Sequence, residues 1–412
     1  MPFRLSRPVG FAVAGLVLLG LMVGASAPSP LYPVYQQLWG FSSFTLTVIF
    51  AVYVVALLGT LLTVGSLADH IGRRPLLVAG LLLLAIAMVT FARAGGVGAL
   101  LLARILQGVA TGAITGAANA LIIDLQPSAR IGALITGGSP AVGLALGAAL
   151  AGGLVQYAPW PRELLFWVML ACYLLLAVVV LVAPEETRQR SEPHVIRRAL
   201  RPSVGVAPEA RSAFISCAPA LAAAWALGGL YLSLGSSALS AIFGIDDHFL
   251  VGLALASFFT PAGLVLLVVH LIPDSARQPV GFASLGGGVV VTLLGVALSS
   301  SPVYVLGSMI AGVGFGMTFH SAVSTIGSLT PMAERAQTFA AMYVLGYLAF
   351  SVPAVFAGLA AEDWGLRPTL IGYGALDVAL VGTAVLLAAR TARRAEVLVP
   401  VPSGCDCADS RA

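Results

Sequence analysis

Three ionisable side chains, Arg104, His320 and Asp377, sit inside long apolar runs of this 412-residue chain. A charge at the centre of a membrane costs on the order of 3 kcal/mol on insertion scales, so each is a candidate for function. Asp377 falls near the middle of the last apolar run, where a carboxyl can take and give a proton. His320 titrates near neutrality and suits the same task. Arg104 can bias the proton affinity of groups around it. Each also has a plain structural reading, as a polar group bonded between packed helices. A second concentration of charge is the stretch "GSLADHIGRRPLL" at 65–77, with Asp69, His70, Arg73 and Arg74 within six positions.

The elements that hold these residues follow from composition. Charged residues make up 9% of the chain and hydrophobic ones 59%, against about 25% charged in soluble domains. Such a chain cannot cover itself with a water-compatible surface, which points to an all-α protein in a bilayer. It contains no lysine; all 21 basic residues are arginine. That excludes a Walker A lysine and a pyridoxal Schiff base, and with them ATP hydrolysis by this chain. The net charge of +4 does not gather into a basic stripe, so no nucleic-acid partner is expected. No cofactor or metal is expected either; the C-x-C of Cys405 and Cys407 lies in a polar tail that reads as disordered.

At roughly 20 apolar residues per span, the chain reads as twelve transmembrane helices. They run at 9–30, 43–67, 76–93, 98–124, 131–157, 163–183, 212–235, 248–271, 280–299, 302–328, 336–361 and 367–390. Arg4 and Arg7 before an apolar run ending in "ASA" imitate a signal peptide, but Pro28 follows at once, and a retained first helix is expected. With both termini cytoplasmic, 17 of the 21 arginines face the cytoplasm, Arg93, Arg162 and Arg367 lie outside, and Arg104 is embedded. The positive-inside rule favours that orientation, and with it a multi-pass protein of a bacterial inner membrane.

The polar segment 184–211 divides the chain into six-helix halves at 1–183 and 212–390, with a cytoplasmic tail at 391–412. The halves align at an offset of about 204 residues. "WGFS" at 39–42 answers "FGID" at 243–246, each introducing a helix with a Ser or Asp cap. "LQPSAR" at 125–130 answers "LTPMAER" at 329–335, and Asp69, Arg73 and Pro75 answer Asp274, Arg277 and Pro279. Two pseudo-symmetric halves are the plan of a transporter with a site between them.

The motifs narrow this further. Gly65, Asp69, Gly72, Arg73 and Arg74 form G-x-x-x-D-x-x-G-R-R, with His70 where a base is usual. This resembles the loop signature of the major facilitator superfamily. The resemblance implies a conformational latch in which Asp69 faces the helix starting near Arg335, Arg73 pairs with Asp124, and Gly72 permits the turn. "LLARILQG" at 101–108 is similar to the family's intramembrane arginine motif, with Arg104 in the key place. "VGASAPSPLYP" at 23–33 resembles the helix-1 pattern of the twelve-helix drug:proton antiporters through Gly24, Pro30 and Pro33. The antiporter motif of helix 5 is partial in "ITGGSPAVGL" at 135–144: Pro140 and Gly143 match, while Ile135, Ser139 and Leu144 do not. Helix 1 also lacks the acid common in those antiporters.

Tyr32, Tyr35, Tyr53, Trp225, Tyr231, Phe319, Tyr343 and Tyr347, with Pro140, are candidates for an aromatic substrate cavity. Two stripes at four-residue steps, Arg104–Gly108–Gly112–Gly116 and Ser308–Gly312–Gly316–His320, are expected to face the central path. The resulting expectation is a monomeric, proton-coupled exporter of small amphipathic or hydrophobic compounds working by alternating access. A rival on the same fold is an importer of a small organic acid, with Arg104 holding the carboxylate. A membrane-embedded enzyme lacks converging catalytic groups, and the loop at 184–211 is too short for a sensor domain.

Overall fold

The computed structural model describes residues 6–64, 67–182 and 203–398, the side chains of residues 69, 70 and 392–398 excepted. Gly65, most of the 184–211 segment, and Cys405 and Cys407 lie outside the described residues, as does the side chain of Asp69. Among the described residues, twelve helices are long and apolar enough to cross a membrane. In chain order they are α1 (Arg7–Ser26), α2 (Ser43–Val64), α3 (Arg73–Ala92), α4 (Val97–Leu125), α5 (Ala129–Tyr157) and α6 (Leu164–Val182). The second set is α7 (Arg211–Ser233), α8 (His248–Val268), α9 (Asp274–Ala297), α10 (Ser301–Leu329), α11 (Arg335–Trp364) and α12 (Leu366–Leu398). No strand occurs among the described residues. In lipid a helix satisfies its own backbone, which is why apolar runs of this length take no other form.

The sequence-derived boundaries miss in instructive places. α3 begins at Arg73, earlier than expected, because Pro75 in the first turn does not interrupt a helix; α9 also begins early, at Asp274, and runs on through Pro279 in its second turn. Helix 1 is not continuous. It stops at Ser26, passes through a 3-10 turn at Ser29–Leu31, and resumes as a short helix at Tyr32–Trp39. α7 breaks in the same manner at Leu234, followed by a short helix at Gly235–Phe243. Both short helices end on a left-handed glycine, Gly40 at φ 63° and Gly244 at φ 65°, the conformation that favours glycine at a C-terminus. The following helices are capped, α2 by Ser42, which accepts from Thr45 N at 3.2 Å, and α8 by Asp247, which accepts from Phe249 N at 2.8 Å. The α8 cap is one residue later than the repeat suggested; Asp246 instead accepts from Ser240 Oγ.

Helices α1–α6 pack among themselves, as do α7–α12, and the two six-helix halves meet along α5 with α8 and α2 with α11. We call the end holding Arg7, Arg73 and Arg130 the basic end. At the opposite end five side-chain hydrogen bonds join the halves among the described residues. Ser29 Oγ donates to Leu232 O (2.8 Å), Ser236 Oγ to Ser29 O (2.7 Å) and Ser237 Oγ to Gln36 Oε1 (2.8 Å). Phe44 N donates to Glu362 Oε1 (3.0 Å) and His248 N to Gln156 Oε1 (2.9 Å). At the basic end Arg130 Nη2 reaches His270 Nε2 at 3.1 Å.

Candidate functional site

Between the halves lies a cavity of about 120 Å³, several times the space one water needs. Its wall draws on four helices of each half. Ala25 and Leu232 stand beside the sealed end, while Asn119, Thr136 and Leu266 lie within roughly two turns of the basic end. The aromatic side is built by helical spacing. Tyr343, Tyr347 and Phe350 share one face of α11, and Phe315 and Phe319 one face of α10. Trp225 is their hub, with ring centroids 4.9 Å from Tyr347, 5.9 Å from Phe350 and 6.0 Å from Phe319. Tyr53 and Phe50 of α2 and Pro140 of α5 close the other side. No Arg, Asp, Glu or His lines this wall.

Two polar atoms of the wall are buried without partners, Asn119 Oδ1 on α4 and Trp225 Nε1 on α7. One accepts and one donates, and they belong to opposite halves. Sequence reasoning missed Asn119, although a single asparagine in an apolar helix was a usable signal. It also missed Phe50, Phe315 and Phe350, which no motif marks.

Of the nine expected cavity residues, Tyr53, Pro140, Trp225, Phe319, Tyr343 and Tyr347 line it; Tyr32, Tyr35 and Tyr231 do not. Tyr32 is bonded to Arg104, Tyr35 stacks on Trp39 at 4.8 Å beyond the seal, and Tyr231 points into the C-terminal half, where its hydroxyl bonds Ser308. The glycine stripes also require correction. A Cβ on Gly108 or Gly112 would strike the α2 carbonyls of Tyr53 and Leu57, and one on Gly312 or Gly316 the α8 carbonyls of Phe258 and Ala262. Those faces are helix contacts, and of these four glycines only Gly316 also borders the cavity. His320 is likewise absent from the wall, and the charges that act on it are those of Asp274 and Arg277 at the start of α9.

Arg104 is fully enclosed, at 0% exposure. Its Nε donates to Tyr32 Oη at 3.0 Å, with Nη2 on the same oxygen, and Nη1 donates to Ala25 O (3.1 Å) and Gln107 Oε1 (2.8 Å). The rings of Tyr53 and Tyr32 lie 5.3 and 5.6 Å from its guanidinium carbon, near enough for cation–π attraction. Three acceptors for a charged donor, each contributing about 1.5–3 kcal/mol, offset a burial cost on the order of 3 kcal/mol without any carboxylate. The arrangement also explains the break in α1. Gly24 O would normally accept from residue 28, but Pro28 has no N–H; Gln107 Nε2 supplies the missing donor at 2.7 Å. The α4 arginine and glutamine thus tie down the carbonyls where helix 1 comes undone.

In the loop between α2 and α3, Gly72 takes φ 95°, a conformation that favours glycine. Arg73 forms an ion pair with Asp124 and donates to Ala120 O at 3.2 Å. Arg74 Nε donates to Val180 O (3.1 Å) and Arg7 Nη2 to Asp124 O (3.0 Å). All these partners belong to the N-terminal half, so the contacts bind α1, α3, α4 and α6 to one another. The backbone of Asp69 lies in the short helix Ala68–Ile71.

Comparison with known proteins agrees with this architecture. The sequence pattern of the Major Facilitator Superfamily matches residues 14–352. A multidrug resistance protein MdtL of Shewanella oneidensis is 31% identical over 159 residues, 38% of this chain and 39% of that protein. The puromycin resistance protein pur8 of Streptomyces alboniger is 36% identical over 153 residues, 35% of this chain and 28% of that protein. These matches therefore span well under half of the relatives' length. A crystal structure of a bacterial homolog of the human lysosomal transporter Spinster, inward-facing and unoccupied, superposes with a TM-score of 0.65 at 16% identity. That likeness covers 96% of this chain and 99% of the other.

Proposed function

The chain belongs to the Major Facilitator Superfamily, and from that premise we propose that it exports small amphipathic or hydrophobic compounds in exchange for protons. The observation that carries this reading is the central cavity: aromatic on one side, contributed by both halves, and without a charged residue in its wall. Such a wall binds flat apolar bodies by contact area and aromatic stacking, and gives no counter-charge to a sugar phosphate or a carboxylate. Asn119 and Trp225 offer one hydrogen bond from each half, so a bound compound with one donor and one acceptor links them. The relatives named for multidrug and puromycin resistance, aligned over part of their length, support the same direction.

The mechanism is alternating access. The halves rock about the cavity; the hydroxyl seal opposite the basic end closes it in one state, and contacts at the basic end close it in the other. Of the latch residues, Gly72, Arg73, Arg74 and Asp124 keep the N-terminal half rigid while it swings; Gly65 and the side chain of Asp69 lie outside the described residues. The arginine distribution supports a basic end and both termini at the cytoplasm of a bacterial inner membrane. One chain encloses a whole cavity, so the monomer is the transporting unit. An importer of organic acids is disfavoured because Arg104, the cation it would use, is enclosed by Tyr32, Ala25 and Gln107 and absent from the wall.

The test is a resistance panel of puromycin, ethidium and a small aromatic acid in a host stripped of its own pumps, paired with ethidium uptake into inverted vesicles. Export of the amphipathic cations that collapses on adding a protonophore is the expected result. Accumulation of the acid, or transport indifferent to the protonophore, would overturn the reading.

A further inference from the structure

Asp377 takes no part in the cavity, yet it is the one buried acid among the described residues, at 1% exposure. It sits on α12, which packs against α7, α9 and α11. Its Oδ2 is buried with no hydrogen-bond partner.

The groups around it explain why. Tyr231 of α7 and Tyr373 of its own helix are the titratable groups that sense its charge. Tyr304 of α10 stands behind Tyr231, their rings 5.9 Å apart. The ionisable residues of α9, Asp274 and Arg277, lie instead by His320, and Glu362 of α11 is at the far seal. No cation faces the carboxyl.

The hydroxyl protons of Tyr373, Thr292, Ser308 and Tyr231 are in use. Tyr373 Oη donates to Ala226 O (2.7 Å), and Thr292 Oγ1 to Gly288 O (2.9 Å). Ser308 Oγ donates its single proton to Tyr304 O (2.8 Å), so in its bond with Tyr231 the tyrosine is the donor. A carboxylate here would have neither a counter-charge nor a donor. A neutral carboxylic acid needs no counter-charge and costs far less to bury unpaired than a carboxylate, and a metal cation would need oxygens converging on Oδ2 that the site lacks.

A small second pocket of about 30 Å³ comes within a turn of Asp377 at Gly374 and is lined by Tyr231, Thr292 and Tyr304. That is room for roughly one or two waters, and the hydroxyl oxygens of Tyr231, Thr292 and Tyr304 are the polar partners the wall offers them. Its walls at Gly235, Val296 and Leu370 lie toward the end opposite the basic loops.

We infer that Asp377 is the group that carries the transported proton, loaded through this pocket in the C-terminal half and not through the substrate cavity. The inference rests on the proton-coupled reading above. In the step itself a proton adds to the carboxylate to give the acid, and no other bond changes. Because this conformation supports only the acid, the proton leaves when the halves rearrange and a donor or water reaches Oδ2. Proton release is thereby tied to the conformational switch, while the exported compound never touches the acid.

The test combines infrared spectroscopy of the purified, lipid-reconstituted protein with transport. At neutral pH the unaltered protein should show a carboxylic-acid C=O band that shifts in D2O and is missing from Asp377→Asn. Asp377→Asn should bind ethidium with affinity changed by less than about twofold, yet lose pH-driven ethidium accumulation by about tenfold or more. Asp377→Glu should recover part of it. Absence of the band in the unaltered protein, its persistence in Asp377→Asn, accumulation driven by a sodium gradient, or full pH-driven accumulation by Asp377→Asn would each overturn the assignment. If the unaltered protein itself ignores the pH gradient, the coupling reading fails instead, and the infrared result still decides whether Asp377 holds a proton.

Discussion

The two halves solve the same local problem with opposite chemistry. At the repeat offset of about 204 residues, Arg104 of α4 corresponds to Ser308 of α10, and Tyr173 of α6 to Asp377 of α12. Each half has a helix that breaks near the seal, α1 after Ser26 and α7 after Ser233, and each uses its fourth helix to bond a tyrosine near the break. In the N-terminal half the partner is a cation with three acceptors, and Tyr173 Oη donates to Gly20 O at 3.0 Å. In the C-terminal half the partner is a serine, and the position of Tyr173 is held by an acid that bonds nothing through Oδ2. One buried ionisable group is bonded at each of its nitrogens and the other leaves Oδ2 unbonded. The fold needs a polar tie at the breaks; it does not need a charge. The satisfied arginine reads as architecture, and the unsatisfied acid as a moving part.

Graded substitutions can break this contrast. The largest effect is expected from Arg104→Ala, which strands Tyr32, Gln107 and the Ala25 carbonyl in a buried site; a loss of about 3–5 kcal/mol should appear as a large drop in the thermal midpoint in detergent. Tyr32→Phe removes one acceptor from a charged donor and should cost about 1.5–3 kcal/mol in the same measurement. Tyr231→Phe, its counterpart in the other half, removes a neutral bond and should cost only about 1 kcal/mol. Smallest of all, Asp377→Asn should move stability by less than about 1 kcal/mol in either direction, since no bond to Oδ2 is lost. A midpoint for Asp377→Asn as low as that for Arg104→Ala would erase the distinction between tie and moving part.

How far the sequence announces this arrangement depends on the physics at each residue. Span number, the repeat and the glycines before α2 and α8 were legible because hydropathy and backbone conformation are local. That Arg104 is embedded was legible because a lone arginine in an apolar helix is conspicuous; that Tyr32, Ala25 and Gln107 enclose it away from the central path was not. The breaks in α1 and α7 were not, since they depend on donors brought from other helices, Gln107 above all. The facing of His320 was misjudged for a related reason. Four-residue glycine steps mark close approach of a second backbone as readily as open space, and only the placement of α2 and α8 decides between them. Tyr32 and Tyr231 look like cavity aromatics by composition and become ties once their hydroxyls find partners.

The seal opposite the basic end has a consequence of its own. Four of its five bonds are between neutral groups, three of them made by serines. At roughly 1 kcal/mol each, the set contributes on the order of 5 kcal/mol, about the difference that inverts a two-state population from one side to the other. A gate made of hydroxyls and amides is also nearly blind to ionic strength, because screening acts on charges and leaves neutral dipoles alone. An end held by ion pairs would loosen with each rise in salt. This door keeps the same spring in fresh water and in brine.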